Sequence, residues 1–174
     1  MTAFQLGRAT EILSQTPTTL QSMLGGLSDE WTASSGDQDN WQAFDVVGHL
    51  IHGEETDWIP RVEIILAQAE NRTFVPFDRW AQFERSKGKT LDQLLEIFKE
   101  LRAENLEKLA ALNLTEAHLD LRAMHPELGE VTLRELLASW VVHDLNHIKQ
   151  IVAVMARKYS DDVGPWTPYM SILQ

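Results

Sequence analysis

Two histidines lie four residues apart in an apolar stretch, WVVHDLNHIKQ, at residues 140–150. Positions i and i+4 of an α-helix share one face, so His143 and His147 can present two ring nitrogens to a common point. Two unrelated buried imidazoles would each need a polar partner, whereas one shared ion satisfies both. The spacing therefore favours a metal site over a pair of separate core histidines.

Two imidazoles alone do not hold a divalent ion firmly, so a third ligand is expected on a facing helix. The segment WQAFDVVGHLIHGEE, at residues 41–55, contains two candidates. His49 is flanked by valine, leucine and isoleucine, whereas His52 is followed by Gly-Glu-Glu and is expected closer to solvent. We therefore prefer His49.

Other polar residues near these histidines receive lesser roles. Gln150 shares the face of the histidine pair and is placed to orient a ligand or a bound water. Asp45 is expected to complement the positive end of its helix, in preference to holding an imidazole. Glu54 and Glu55 are expected to be solvated surface charges.

Asp144 follows His143, at the position where HExxH metalloproteases carry a catalytic glutamate. It is one methylene shorter and points about 100° away from His143 on the helix, which makes a protease of that class a poor interpretation. No residue is assigned as a general base. His118 and His125 fall in a loop and are interpreted as surface residues.

Helices must position these residues. Capping boxes at Thr90–Gln93 and Thr132–Glu135 begin two long helical patterns. Upstream, a pattern over 3–25 is expected to break near Thr16-Pro17, and Pro60 is expected to kink or split a pattern over 42–69. Four principal helices with almost no strand alternation predict an all-α, up-and-down four-helix bundle.

The length of the chain fits a single domain over residues 1–174. Residues 70–89 form a long loop rich in aromatic side chains, and residues 113–131 form a second. Loops of this length are usually functional or mobile. The first is expected to border the pocket, with Asp78 and Arg79 as candidate substrate contacts.

The segments WQAFDVVGHLIHGEE and GEVTLRELLASWVVHDLNHIKQI resemble the two signature regions of the DinB-like (YfiT-type) family. That pattern places a Trp before the second helix, a His within an apolar run, and later His-x-x-x-His followed by Gln-Ile. The sequence matches it at Trp41, His49, His143, His147 and Gln150-Ile151. The resemblance covers nearly the whole chain.

The resemblance implies a DinB/YfiT-like four-helix bundle with a three-histidine site for a divalent metal, often in a homodimer. Carried over residue by residue, the ligands are His49, His143 and His147. Related proteins include metal-dependent hydrolases and enzymes of thiol-dependent transfer or isomerisation that use bacillithiol or mycothiol. The family's frequent proline near the start of helix two is Ala43 here, which affects helix initiation and not the site.

A three-histidine site leaves an open position on the ion, which is typical of catalytic centres. Zn²⁺ or Ni²⁺ is expected, although nitrogen ligation alone does not choose among first-row metals. The ion could activate water for hydrolysis or stabilise a thiolate for transfer to a small-molecule substrate. One alternative is a bundle that binds a metal or ligand without turnover, and another is a helical interaction protein without metal.

The composition of the chain limits the classes of partner that the protein is expected to bind. The net charge of −11 and the pI of about 4.9 argue against nucleic acid and anionic membrane surfaces. The chain has no cysteine, so any low-molecular-weight thiol must arrive as a cofactor. No signal-peptide or membrane-span pattern is present, and a cytoplasmic location is expected. The helical pattern that begins at Thr132 is apolar around nearly its whole circumference, which predicts a homodimer.

Overall fold

The computed structural model of the protein describes residues 3–37 and 39–174. Its elements in chain order are α1 (Leu6–Leu24), α2 (Asp29–Thr32), α3 (Ala43–Thr56), α4 (Trp58–Ala67), α5 (Ala81–Arg85), α6 (Leu91–Ala111), α7 (Glu116–Leu119), β1 (Arg122–His125), β2 (Gly129–Thr132) and α8 (Leu133–Arg157). Two 3₁₀ turns follow, at Gly164–Tyr169 and Ser171–Leu173. No helix in the described part of the chain combines the length and apolar character needed to cross a membrane.

The long helices α1, α3, α6 and α8 form a four-helix bundle. Helices α1 and α3 each pack against both α6 and α8. The all-α four-helix bundle predicted from the sequence is therefore confirmed. The capping boxes that begin α6 and α8 are also present, with Thr90 accepting from the Gln93 amide and Thr132 from the Glu135 amide.

Two apolar clusters fill the ends of the bundle and reveal the helix directions. The C-terminal halves of α1 and α8 meet the N-terminal halves of α3 and α6 in one cluster. The opposite halves of α1, α6 and α8 meet α4 in the other. The up-and-down order thus holds from α1 to α3 and from α6 to α8, whereas α3 and α6 are parallel because residues 57–90 cross back along the bundle.

Helix α1 is continuous through Pro17, so the predicted break near Thr16-Pro17 is wrong. Proline lacks the N–H that would bond the carbonyl four residues earlier, which belongs to Leu13. Nη1 of Arg102, on α6, donates to that oxygen instead at 2.8 Å. The tertiary contact satisfies the carbonyl, and the helix continues.

The predicted split near Pro60 is confirmed. Helix α3 ends at Thr56 and α4 begins at Trp58, with Asp57 between them at φ −111° and ψ −66°. Pro60 lies in the first turn of α4, where a missing N–H costs no helical hydrogen bond.

The two long connections contain short elements. Helix α5, within 70–89, packs on α3, where a Cβ added at Gly48 would lie 2.5 Å from Oγ of Ser86. The connection 113–131 contains α7 and most of an antiparallel hairpin in which Arg122 of β1 pairs with Thr132 of β2. The hairpin was not predicted because its strands are too short to show a clear alternating pattern.

Candidate metal centre

Three histidines from two helices converge at one point in the bundle. His49 lies on α3, and His143 and His147 lie on successive turns of α8. The Nε2 atoms of His49 and His147 each lie 3.1 Å from Nε2 of His143. Ring nitrogens of all three residues lie within 4.8 Å of one another. The structure therefore brings together the three residues that the sequence indicated as a ligand set.

Burial keeps these imidazoles neutral. Desolvation, with repulsion from neighbouring imidazoles, lowers the pKa of His49 to about 3 and that of His143 to about 2. Burial also lowers the pKa of His147, although its bond to Gln150 and the charge of Asp144 act in the opposite direction. Neutral imidazoles have a free lone pair, which metal ligation requires.

Gln150 fixes the orientation of one ring. Its side-chain oxygen lies 2.8 Å from Nδ1 of His147. An amide oxygen only accepts, so Nδ1 of His147 donates to it and the lone pair of Nε2 faces the other two histidines. The sequence predicts that Gln150 orients a ligand or a bound water, whereas in the structure Gln150 holds the imidazole of His147. The Nδ1 atoms of His49 and His143 are buried without a partner among the described residues.

Hydrogen bonds alone do not account for the two short contacts at His143. Its Nε2 carries either a proton or a lone pair, so only one of the two contacts can be a full hydrogen bond. Nitrogens bound tetrahedrally to Zn²⁺ at about 2.0–2.1 Å lie about 3.3 Å apart. The observed separations of 3.1 Å fit a donor set of that kind.

A buried ionic cluster lies beside the histidines, between α3, α6 and α8. Arg102 contacts Glu54 at 2.8 Å and Asp144 at 2.6 Å. Asn105 donates to the second oxygen of Glu54 at 3.0 Å, and the Trp140 indole N–H donates to the first at 3.2 Å. Burial raises the pKa of Glu54, and the attraction of Arg102 opposes that rise. The cluster ties the helix carrying His49 to the helix carrying the other two histidines.

No sequence pattern predicts this cluster. The expected surface position of Glu54 is wrong, because Glu54 is 3% exposed. Glu55 is exposed, as expected, and pairs with Arg85. Asp144 points away from the site towards Arg102, which removes it as a proteolytic base. The sequence indicates only that a charged residue interrupts the apolar pattern of each helix. It does not indicate which charged residues pair with one another.

Asp45 has the role expected at a helix start. Its carboxylate accepts a hydrogen bond from the backbone N–H of Gln42 at 2.9 Å and another from the hydroxyl of Ser34. These bonds complete the N-terminal cap of α3. Asp45 is therefore engaged away from the imidazoles.

The three histidines border an open cleft of about 710 Å³. Such a volume is typical of small-molecule sites. Aromatic residues contribute much of the wall, namely Trp41, Trp58, Phe77 and Trp80. The ring of Trp41 lies 5.0 Å from that of His49, and the ring of Trp58 lies 5.1 Å from that of His143. The cleft therefore offers aromatic side chains beside an all-nitrogen donor set.

The aromatic loop at 70–89 borders this cleft, as expected. Arg79 lines the wall, whereas Asp78 bonds the backbone N–H of Trp80 at 3.0 Å. Phe77 covers His52, with ring centroids 4.7 Å apart. His52 is therefore buried, contrary to its predicted proximity to solvent, and it lies outside the donor set.

An ion pair lines the same cleft at the junction of α3 and α4. Nε of Arg61 lies 2.6 Å from Oδ1 of Asp57. Burial raises the pKa of Asp57 to about 6, against the attraction of Arg61. His125, interpreted from the sequence as a surface residue, lines the cleft beside them because the hairpin folds towards α4.

Comparisons with known proteins bear on the fold and the site. A family model described as the DinB superfamily matches residues 12–151. A solved structure of YfiT from Bacillus subtilis is similar, with a TM-score of 0.75 and 22% sequence identity over 91% of this chain and 90% of that one. YfiT is described as a probable metal-dependent hydrolase with an unusual four-helix bundle topology. No curated protein sequence matches the chain.

Proposed function

The chain belongs to the DinB superfamily, and from that membership and the geometry of its histidines we propose that it is a divalent-metal-dependent enzyme acting on small molecules. The ligands are His49, His143 and His147. The observation that carries the proposal is the convergence of three neutral imidazoles at the wall of a large cleft. Zn²⁺ and Ni²⁺ both suit such a donor set.

The chain's own residues prepare the site for such an ion. A divalent ion held there supplies Lewis acidity, which activates a bound water or stabilises a thiolate near neutral pH. Gln150 holds the ring of His147 so that its Nε2 lone pair is directed inwards. Trp58 packs its ring against the edge of His143 and stacks on Trp140 at 5.4 Å, which limits the movement of that imidazole.

Hydrolysis is the reaction we propose first. The description of YfiT as a probable metal-dependent hydrolase supports it, as does the opening of the donor set to the cleft. The cleft walls would hold a substrate against the site through aromatic contacts from Trp41 and Phe77.

Thiol-dependent transfer or isomerisation is the second candidate. The chain has no cysteine, so a low-molecular-weight thiol would have to bind as a cofactor. A cleft of about 710 Å³ is large enough for a small cofactor together with a substrate, which favours this candidate over simple capture of a single ligand.

The proposal is tested on protein purified without a histidine tag. Elemental analysis is expected to find one divalent ion per chain, and His147→Ala is expected to lose that ion while keeping its helical circular dichroism. Lys149→Ala, an exposed neighbour on α8, is the matched control and should keep the ion. A chain free of metal, or a His147→Ala variant that retains it, would contradict the proposal.

The metal-loaded protein is then screened for turnover. Ester, amide and other hydrolysable small molecules test the first reaction, and thiol-transfer substrates with bacillithiol or mycothiol test the second. Loss of turnover in His147→Ala with retention of fold identifies an enzyme. Stoichiometric metal without turnover in either screen would favour a non-catalytic binding protein.

A further inference from the structure

Arg61 is a buried cation at the edge of the cleft. The residue is 8% exposed, and its guanidinium lies over the ring of Phe74 at 4.9 Å. Asp57 engages Nε at 2.6 Å. Within residues 3–37 and 39–174, no side chain or carbonyl forms a hydrogen bond with either Nη nitrogen. Arg61 lines the cleft.

This arrangement holds the guanidinium in place before any ligand arrives. Arginine in solution must give up side-chain freedom to bind an anion. Here Phe74 fixes the plane of the group and Asp57 fixes its rotation about the side-chain axis. The two Nη nitrogens have no bond to another described residue and remain free to bind an anion that enters the cleft.

His125 supplies a second donor on the facing hairpin. Its Nδ1 accepts from the backbone N–H groups of Glu127 and Leu128, at 3.1 and 3.2 Å. With Nδ1 used as an acceptor, the proton of the neutral ring is on Nε2. His125 lines the cleft, and its ring packs on the edge of Phe74, the residue that also supports Arg61. An N–H donor is therefore placed beside the arginine.

The cleft floor connects this corner to the histidines. His49, Gly53 and Asp57 follow one another at intervals of four residues along α3 and its C-terminal cap, so the three positions lie on one side of the helix. Gly53 lines the cleft, and a Cβ added there would lie 3.2 Å from Nε1 of Trp58. A Cβ at this position would crowd the indole of Trp58, so glycine lets Trp58 pack close to α3 at the wall of the cleft.

We propose that Arg61 and His125 form a subsite for a carboxylate, and that the substrate is a small molecule carrying that carboxylate at a distance from its reacting group. The inference rests on the proposed function for the reacting end. A carboxylate fits better than a phosphate because Asp57 and Glu127 also line this corner and disfavour a dianion. The planar fork of arginine matches the two carboxylate oxygens.

Cobalt(II)-loaded protein and ω-mercaptocarboxylates of increasing length test the proposal. Each thiol is matched by the mercaptoalcohol of equal length, and sulfur binding is followed by charge-transfer absorption. One length is expected to bind roughly tenfold tighter than its alcohol, because only the carboxylate gains charge-assisted hydrogen bonds. The absence of any preference would overturn the proposal, and so would a stronger preference for mercaptoalkyl phosphates.

Variants test whether Arg61 and His125 cause the tighter binding of the mercaptocarboxylate. Asp57→Asn with Arg61→Met removes both charges, so that no unpaired charge remains buried, and is expected to abolish the preference while the alcohols bind as before. His125→Phe is expected to reduce it. Arg122→Met, at an exposed arginine of the same hairpin, is the control and should bind like the wild type. A preference that persists in the double variant would overturn the proposal.

A second readout needs no metal. Arginine side chains labelled with ¹⁵N, in the protein as purified, are titrated with succinate. The Arg61 resonances are expected to shift, and the Arg122 resonances are expected to stay unchanged. A shift at Arg61 in protein that binds no cobalt would contradict the proposed function and support the subsite. Unmoved Arg61 resonances, together with thiol binding that shows no carboxylate preference, would overturn the subsite and leave the proposed function intact.

Discussion

At the scale of residues, the donor set makes the metal-free protein sensitive to acid. His49, His143 and His147 are neutral in the folded state and take up protons near pH 6.5 when unfolded. A lowered folded pKa gives stability that is present above the unfolded value and is lost as pH falls towards the folded value. Asp57 acts in the opposite sense, because its raised pKa favours the folded state below about pH 6.

The metal-free protein is therefore expected to lose stability as pH falls from 6.5 towards 3. His49 and His143 each contribute about 1.4 kcal/mol per pH unit within that window, and His147 acts in the same direction. His143→Leu removes one contribution and should reduce the pH slope of the free energy of unfolding. Urea denaturation at pH 7, 6 and 5 with a chelator measures both slopes. Equal slopes in the two proteins would show that His143 is not held neutral by the fold.

Gln150 should matter for metal affinity more than for stability. Gln150→Leu removes the acceptor that orients His147, and loss of such a contact typically weakens metal binding by about 10–100-fold. Competition with a chromophoric chelator measures the affinity. Lys149→Leu, at the exposed neighbouring position, serves as the control and should bind as the wild type does. An unchanged affinity in Gln150→Leu would remove this role.

The sequence identified residues whose role follows from spacing on a single helix. The i,i+4 pair His143 and His147 is of this kind, and the apolar flanks of His49 indicated that it is buried, as it is beside the pair. His52 and Glu54 were misjudged because their burial depends on other parts of the chain. Phe77 from the loop covers His52, and Arg102 from α6 pairs with Glu54.

At the scale of elements, the Arg102 cluster joins all four bundle helices. The guanidinium contacts Glu54 on α3 and Asp144 on α8, and also the Leu13 carbonyl on α1. Pro17 makes that carbonyl available because it lacks the N–H that would otherwise occupy it. A residue that sequence reasoning took as a helix breaker is thus part of the tertiary contact that aligns the helices.

Arg102→Met is expected to destabilise the protein by about 3–5 kcal/mol, because it leaves two carboxylates buried without their cation. Adding Glu54→Gln and Asp144→Asn should recover part of that loss. Arg134→Met, at a partly exposed arginine that pairs with the exposed Glu116 and Asp120, should change stability by less than about 0.5 kcal/mol. Urea denaturation measures all three. A loss in Arg102→Met no greater than that of the control would contradict this account.

The residue at which a helix begins could be predicted from the sequence more reliably than whether the helix continues without a break. Thr90 and Thr132 begin their helices with local capping boxes, and local chemistry is visible in the sequence. The continuity of α1 depends on Arg102, which is 85 positions after Pro17. The parallel packing of α3 and α6 depends likewise on the path of the crossover at 57–90, which no local pattern specifies.

At the scale of the whole molecule, the apolar outer face of α8 is the feature that bears on assembly. Val142 is 63% exposed and Leu145 is 48% exposed. The sequence predicted a homodimer through surfaces of this helix, and these residues make that prediction specific. Exposed apolar residues that recur on one helix face commonly mark interfaces.

The protein is expected to elute as a dimer of about twice the 19.8 kDa chain mass, by size exclusion with light scattering. Leu145→Glu should shift it to monomer, because a charge at a packed interface is costly to desolvate. Leu128→Glu, at an exposed hairpin position outside α8, is the control and should remain dimeric. A wild-type protein that is monomeric at all concentrations would contradict the prediction.

Anomalous diffraction from crystals of the metal-loaded protein, measured at the absorption edge of the bound metal, tests whether His49, His143 and His147 bind one ion together. We expect one strong peak about 2.0–2.1 Å from the Nε2 atoms of His49, His143 and His147, facing the cleft. A peak bound by other residues, or none between the three rings at full metal loading, would contradict this expectation.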